Sequence, residues 1–336
     1  MAYGPGDATI AATTTDEWLD DNILDLYASH SPFLAKLMGT SDEPGGEFHF
    51  KMGTPAEGGK FKIPVFGKVT YTADGVTRAN QINAISPTIN DDIIGAYYNW
   101  AHYQGVAFHN YEDMKKNSGK AAMADLGQAY VNQVKSKLHA VLNTDMFDGV
   151  IDSADKILAV DYAVSNSSTL GGIDQSDAAN NAWWQAQQHT TAETFTTFAF
   201  DIVRDLCNVD APVPNGIRQN DPDMALFGGN LFAKLRQELK ASQRIEVGTL
   251  LKGGAKYIDY DGCACFRNPI QDSDNVIILN TATWAFRYAT KAPEPVTEGW
   301  VPVSGTPSMW QRGFNWMLGL GCISPKHNGL LDGKTA

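Results

Sequence analysis

The sequence has few cysteines, no long apolar run and no excess of basic residues. Its 336 residues include 4 cysteines, too few for a disulfide framework. No apolar stretch reaches the roughly 20 residues of a membrane-spanning helix, so we expect no membrane segment. The N-terminal residues show no basic start followed by an apolar core, so we expect no secretory signal peptide. These features predict a soluble protein that is not exported.

The charge balance is acidic, with 38 acidic residues against 26 basic ones and a formal net charge of −12. This excess argues against a dedicated duplex-DNA binder, which must neutralise phosphates. The acidic excess does not exclude a protein that encloses DNA without binding it tightly. Hydrophobic residues make up 43% of the chain and charged residues 19%, as in ordinary globular proteins. The length allows one large domain or two modest ones.

Sequence signatures of catalysis are missing. There is no metalloprotease, nucleophile-elbow or dinucleotide-binding motif, and Ser118-Gly119-Lys120 lacks the glycine that a phosphate-binding loop requires. The segment 259–262 lacks the further acidic positions of a calcium loop, so a β-turn is favoured. Cys263 and Cys265 alternate with small or apolar residues, which favours a buried strand over a metal site. We therefore expect no catalytic, cofactor-binding or metal-binding residues and no enzyme activity.

The N-terminal part combines a helical arm with a long β excursion. Thr14 and Glu17 form a capping box before an amphipathic helical stretch. From about residue 45 the apolar period changes to two. Two short runs show this alternation, and in the second run Phe61, Ile63 and Val65 alternate with polar residues or proline. A strand with one apolar stripe cannot cover that stripe with its own short turns. We therefore expect this stripe to be covered by a second copy of the chain. A role in self-assembly that is argued from this stripe fails if the arm folds back on its own body.

Three helices are predicted further along the chain. The longest spans about 118–142, and its apolar residues recur at steps of three and four. The apolar face predicted for this helix consists of Met123, Leu126, Tyr130, Val134, Leu138 and Val141. A second helix spans about 192–207, with Phe195, Phe198, Ile202, Val203 and Leu206 expected to point inward. A third spans about 230–242, with Leu231, Leu235 and Leu239 inward, and short β runs follow residue 248.

Charge is distributed unevenly between the two N-terminal segments. Residues 1–43 carry eight acidic residues and one basic residue, whereas residues 45–80 carry five basic and three acidic residues. These segments either complement each other between copies or are simply solvated. Under the first hypothesis, the candidate intersubunit interface comprises Trp18, Asp20, Asp21, Lys51, Lys60, Phe61, Lys62, Ile63, Val65 and Lys68.

The order of these elements resembles that of the major capsid proteins of tailed bacteriophages, which have the HK97 fold. Local motifs carry the same resemblance, and nearly the whole chain is covered. These motifs are Tyr98-Asn99-Trp100 with Gln104, Asn117-Ser118-Gly119-Lys120, Leu142-Asn143-Thr144-Asp145-Met146-Phe147, and Gly171-Gly172-Ile173 followed by Trp183-Trp184. Family members often have an arginine shortly after the isoleucine, where this chain has Asp174-Gln175-Ser176.

The resemblance implies an α+β, HK97-like fold divided into four regions. These would be an N-terminal arm at 1–44, a β-hairpin E-loop at 45–97, a P-domain at 98–184 with the spine helix at about 118–142, and an A-domain at 185–272. Residues 273–336 would return to the P-domain. The implied function is a structural shell subunit that self-assembles through hexamers and pentamers into an icosahedral capsid enclosing dsDNA.

The same resemblance implies the partners and the location. The short N-terminal arm leaves no room for a long scaffolding extension, so we expect a separate scaffolding protein, together with a portal. The protein would be made in the host cytoplasm and would reside in the virion. One alternative is an encapsulin-type compartment shell. An alternative of a different class is a soluble hydrolase with a β-rich binding arm.

Overall fold

The structure is a computed structural model that describes twelve stretches of the chain. They are residues 32–33, 50–52, 60–66, 93–110, 120–147, 155–208, 221–241, 246–250, 255–271, 274–288, 296–297 and 299–335.

Five α-helices lie in the described residues. They are α1 (Lys120–Asp145), α2 (Val160–Ala163), α3 (Ala178–Asn181), α4 (Thr197–Cys207) and α5 (Gly229–Ala241). Short 3₁₀ turns occur at Ala182–Trp184, Thr281–Thr283 and Pro325–His327. In the described residues, no helix combines the length and the apolar character that crossing a bilayer requires.

Nineteen strands lie in the same part of the chain. Those before residue 200 are β1 (Phe50–Met52), β2 (Lys60–Phe66), β3 (Ile93–Asn99), β4 (Ala101–Asn110), β5 (Thr169–Leu170), β6 (Ile173–Asp174), β7 (Gln187–His189) and β8 (Glu193–Thr194). Those after it are β9 (Met224–Phe227), β10 (Glu246–Leu250), β11 (Ala255–Tyr260), β12 (Cys263–Arg267), β13 (Val276–Leu279), β14 (Trp284–Tyr288), β15 (Val296–Thr297), β16 (Val301–Val303), β17 (Thr306–Cys322), β18 (Gly329–Leu331) and β19 (Lys334–Thr335).

The first sheet, here called the long-strand sheet, is organised around β17. This strand pairs with β4, β14, β15 and β16, and β1 adds to β14 in parallel. One face of β17 buries Phe314, Trp316 and Leu318 beneath α1 and the main core. Helix α1 approaches β4 closely at Gly105, where an added Cβ would lie 2.7 Å from Cγ1 of Val134. The side-chain alternation along β17 thus gives the sheet an inner face toward α1 and an opposite, outer face.

The second sheet, the seven-stranded sheet, has the order β10-β11-β12-β9-β13-β18-β7. Along β9, Ala225 and Phe227 pack with α4 and α5, whereas Met224 and Leu226 join the main core. Strands β13 and β18 belong to this sheet although they follow residue 272. The domain boundary that the sequence predicts at 272/273 therefore passes through the sheet.

Helix α1 is longer than predicted at its C-terminal end, and its buried face is rotated. It continues through Asp145 rather than stopping near residue 142. Leu138 is buried as expected, but Val141 is 49% exposed and Leu142 is fully buried. The buried face also includes Lys135 and His139, which a search for apolar periodicity passes over.

Candidate assembly surface

The base of the β2–β3 hairpin packs on the outer face of the long-strand sheet of its own chain. Phe61, Ile63 and Val65 are all buried there. The hairpin fits because β17 has glycine at the contact. An added Cβ on Gly319 would lie 2.2 Å from Phe61 Cε1, and one on Gly321 would lie 2.6 Å from Ile63 Cδ1. The expectation that only a second copy covers this apolar stripe is therefore wrong, and these three residues are not available to an intersubunit interface.

The opposite face of the hairpin remains accessible. Lys60 and Lys62 are exposed, in the alternation predicted for this strand. Lys62 Nζ lies 5.7 Å from the centre of the Tyr97 ring on the paired strand, within the range of a cation–π contact. Two of the predicted interface residues are thus placed where a neighbouring molecule can reach them.

The remaining predicted interface residues lie where the structure gives no side-chain information. Lys51 falls within β1, whose pairing with β14 is described. Trp18, Asp20, Asp21 and Lys68 lie outside the described residues. Their role in an interface stays a prediction.

The Gly-Gly-Ile motif forms a tight turn that holds the hairpin base. Gly171 and Gly172 connect β5 to β6 with φ values of 62° and 86°, the left-handed region that favours glycine. The Gly171 carbonyl accepts a hydrogen bond from Tyr97 N at 3.0 Å. An added Cβ on Gly171 would lie 2.8 Å from the Ala96 Cβ. The motif therefore has a structural role, which is to let β3 approach the turn.

The aromatic pair of the same motif anchors this turn from the other side. Trp184 is fully buried, and its Nε1 donates to the Leu170 carbonyl at 3.1 Å. Trp183 packs beside it, with ring centres 5.3 Å apart. Gln175 follows the Gly-Gly-Ile turn, two residues after Ile173. It is fully buried, and its Nε2 donates to the carbonyls of Ala163 and Trp184. The glutamine amide thus ties the turn to the Trp184 backbone without burying a charge.

Helix α4 presents an apolar surface that the sequence analysis assigned to the core. Phe198 is 73% exposed, Ile202 37% and Leu206 50%. We call these three residues the α4 stripe. The prediction that they point inward is wrong, because a second apolar row of the same helix is the one in the core: Ala199, Phe200, Val203 and Cys207. A helix that is apolar on two sides needs a second cover.

The outer face of the long-strand sheet carries a second exposed apolar pair. Val106 is 45% exposed and Phe108 is 48% exposed. They lie on the face that the β2–β3 hairpin covers further along, and the neighbouring Gly313 has open space above it. The outer face of the sheet is therefore apolar beyond the part that the hairpin covers.

Polar contacts on the flank of α4 fix the helix to the β11–β12 turn. Arg204 forms an ion pair with Asp261, which holds the pKa of the Asp261 carboxyl below its usual range. The Tyr260 hydroxyl donates to Asp201 Oδ2 at 3.0 Å. Burial, together with this hydrogen bond, raises the pKa of Tyr260 to about 12, and burial raises that of Asp201. These groups orient the helix and hold the α4 stripe in place.

The four cysteines pack as apolar side chains. Cys207, Cys263, Cys265 and Cys322 are free thiols and buried, as predicted for the β12 pair. Burial raises the pKa of Cys322 to about 12 and raises that of Cys207 as well, in keeping with thiols that pack as apolar side chains. Within the stretches that the structure describes, no three His, Cys, Asp or Glu side chains are grouped for metal binding. The turn predicted at 259–262 is present, with Asp261 and Gly262 at positive φ.

Comparison of the fold with solved structures identifies its type. No protein-family model matches the sequence, and no curated protein is significantly similar to it. The capsid protein of cyanophage A-1(L) superposes with a TM-score of 0.60 at 14% identity, covering 82% of this chain and 88% of that one. The chain has the HK97-like capsid fold.

Two further structures with this fold come from different kinds of particle. The capsid of a native GTA particle matches with a TM-score of 0.57 at 13% identity, over 88% of this chain and 95% of the other. The encapsulin SrpI from Synechococcus elongatus PCC 7942 matches with a TM-score of 0.50 at 11% identity, over 85% of each chain. The α+β fold predicted from the order of elements is confirmed, and its structural neighbours are shell proteins.

Proposed function

We propose that this chain is the major subunit of an icosahedral capsid, which self-assembles through hexamers and pentamers and encloses a dsDNA genome. The observation that carries this proposal is the α4 stripe. In a chain with a capsid fold, a stable helix exposes a row of apolar side chains that its own core leaves uncovered. Covering that row in repeated copies favours a closed assembly, because many weak contacts reinforce one another.

The regions of the chain have separate tasks in this proposal. Residues 1–44 act as an N-terminal arm and 45–97 as the E-loop, whose base is the β2–β3 hairpin. Residues 98–184 build the P-domain around α1, and residues 185–272 supply most of the A-domain around the symmetry axes. Residues 273–336 return to the P-domain, except that β13 and β18 complete the sheet of the A-domain. The chain is structural and carries out no reaction.

The acidic composition supports enclosure without tight DNA binding. Because each chain carries a net charge of −12, a shell of many copies repels the packed DNA and does not bind it tightly. The proposed partners are other copies of the chain, a separate scaffolding protein and a portal. The protein is made in the host cytoplasm and resides in the virion.

Electron microscopy of the chain produced with its scaffolding protein tests the proposal. We expect rings and closed shells of uniform diameter. A compact monomer of 36.5 kDa under these conditions would contradict it and favour the hydrolase alternative. Nuclease-protected DNA of uniform length inside native particles supports a capsid, whereas a single protein cargo supports an encapsulin-type compartment.

A loop replacement tests the E-loop assignment separately. Phe66 pairs with Ile93 at the end of the hairpin, so residues 67–92 are replaced by a two-residue Asn-Gly turn that suits such a register. We expect a folded subunit with an unchanged melting temperature that no longer forms shells. Normal shells from this variant would contradict the assignment of 45–97 as an assembly arm.

A further inference from the structure

Two flanks of the lobe formed by the seven-stranded sheet, α4 and α5 carry opposite charge. Beside the α4 stripe, Asp205 is exposed and Asp201 is partly exposed. On α5, the side opposite the buried leucines exposes Arg236, Lys240 and the small Ala233. One helix of the lobe is thus apolar and acidic on its outer side, and the other is basic.

We propose that the α4 stripe of one copy docks on the outer side of α5 of the next copy, in a head-to-tail contact that closes into rings. This inference rests on the proposed shell function and names the partner surface for the stripe. Ala233 leaves room for the Phe198 ring, and the aliphatic stems of Arg236 and Lys240 cover the apolar row. Asp205, seven residues after Phe198, then lies beside the basic pair Arg236 and Lys240.

The charges select this contact over a two-fold contact between two α4 stripes. On a helix with 3.6 residues per turn, Asp205 lies within about 20° of Phe198, so an antiparallel two-fold pair centred on Ile202 brings each Asp205 carboxylate against the partner copy's Phe198 ring. A carboxylate covered by an apolar ring is unfavourable, whereas the α5 surface offers cations. A contact between two different surfaces propagates in one direction and closes into a ring when the rotation allows it.

Charge reversal in the full-length chain tests the pairing. Asp205→Arg alone and Arg236→Asp alone each lose rings and shells, while circular dichroism and urea melts match those of the wild type because both side chains are exposed. The double variant Asp205→Arg/Arg236→Asp recovers rings. For the apolar row, Phe198→Ser loses rings and the matched Phe198→Leu keeps them.

Mixing the two single variants gives the sharpest outcome. Every contact is complementary only when the two chains alternate around the ring, which requires an even number of copies. We therefore expect native mass spectrometry of the mixture to show six-membered rings and no five-membered rings. A two-fold stripe contact predicts instead that Arg236→Asp alone assembles normally.

The results separate this inference from the function on which it rests. If the wild type and the Arg236→Asp variant both assemble, the α4–α5 contact is wrong and the shell function is unaffected. Wild-type protein that forms no ring or shell with its scaffolding protein overturns the shell function itself.

Discussion

Asn328 accepts a hydrogen bond from the indole Nε1 of Trp284 at 3.0 Å, and this contact lies where the two sheets meet. The same Oδ1 accepts from Asn280 N at 3.0 Å, and Nδ2 donates to Thr283 Oγ1 and the Ser324 carbonyl. These partners sit on the two chain segments that cross between the sheets, 280–283 and 323–328. One buried amide therefore joins the ends of four strands, and we infer that it fixes the angle between the long-strand sheet and the seven-stranded sheet.

Removing this amide should destabilise the subunit strongly. Asn328→Ala deletes the partner of several buried polar groups, each worth about 1–3 kcal/mol when left unsatisfied. We expect a loss of several kcal/mol in the free energy of unfolding, measured by urea denaturation, while Asn315→Ala on the exposed part of β17 changes it by less than about 0.5 kcal/mol. If Asn328→Ala gives no soluble protein, Asn328→Ser keeps a small neutral polar group at this buried site and serves as the milder variant. Equal stability of Asn328→Ala or Asn328→Ser and wild type would show that the junction does not depend on this amide.

The two glycines of the β5–β6 turn provide a matched pair. Gly172→Ala meets open space, so its cost is the backbone strain of a positive φ, about 1–2 kcal/mol. Gly171→Ala has the same strain and also brings a Cβ to 2.8 Å from Ala96, a clash whose relief adds about 1–3 kcal/mol. Urea denaturation should therefore rank Gly171→Ala below Gly172→Ala in stability. The reverse order would mean that β3 does not lie against this turn.

The hairpin base gives a direct test of where the apolar stripe is covered. Because the Phe61 ring is buried against Gly319 and Trp100 of its own chain, Phe61→Ala should cost the isolated subunit about 3–5 kcal/mol. Lys60→Ala, next to it on the exposed face, should change the free energy of unfolding by less than about 0.5 kcal/mol. A Phe61→Ala subunit that is as stable as wild type, yet defective in assembly, would restore the interpretation that a second copy covers this residue.

Alternation and periodicity predicted the elements but not always the side that is buried. Along β2 the polar and apolar residues differ enough to assign the buried face, and the structure confirms that Phe61, Ile63 and Val65 form it. The prediction that β12 is a buried strand is also confirmed. Helix α4 has two apolar rows, and periodicity cannot tell which of them meets the sheet. Glycines 319 and 321 alternate with buried leucine and cysteine on β17, and this was the available signal that something packs closely on the outer face.

Polar contacts between distant segments had no sequence signal at all. Asn328 follows Pro325-Lys326-His327 and reads as a loop residue, although it joins two sheets. In the sequence, Gln175 stands out only as a departure from the motif that the resemblance implies. Its role depends on the carbonyls of Ala163 and Trp184, which the fold brings beside it. Such roles follow from tertiary placement, which neither composition nor spacing encodes.

The C-terminal strand should be released in acid, because an ion pair holds it. Lys334 is fully buried, and its Nζ donates to Glu193 Oε1 at 2.8 Å and to the Thr191 carbonyl at 2.7 Å, with His189 Nδ1 at 2.8 Å. The hydrogen bond from Lys334 lowers the pKa of Glu193 below its usual value. A carboxyl whose pKa is lower in the folded state stabilises the fold above its unfolded pKa of about 4.3, and that contribution is lost as the pH falls through the folded value.

We therefore expect the urea midpoint of the wild type to fall more steeply below about pH 4.3 than that of Glu193→Gln, which keeps a neutral acceptor for Lys334. His189 and Lys334 are present in both proteins, so the difference between the two pH profiles isolates the Glu193 carboxylate. Hydrogen exchange of the β8 and β19 amides should show the same difference locally. Parallel profiles for the two proteins would mean that the pair with Lys334 adds nothing to the attachment of the strand.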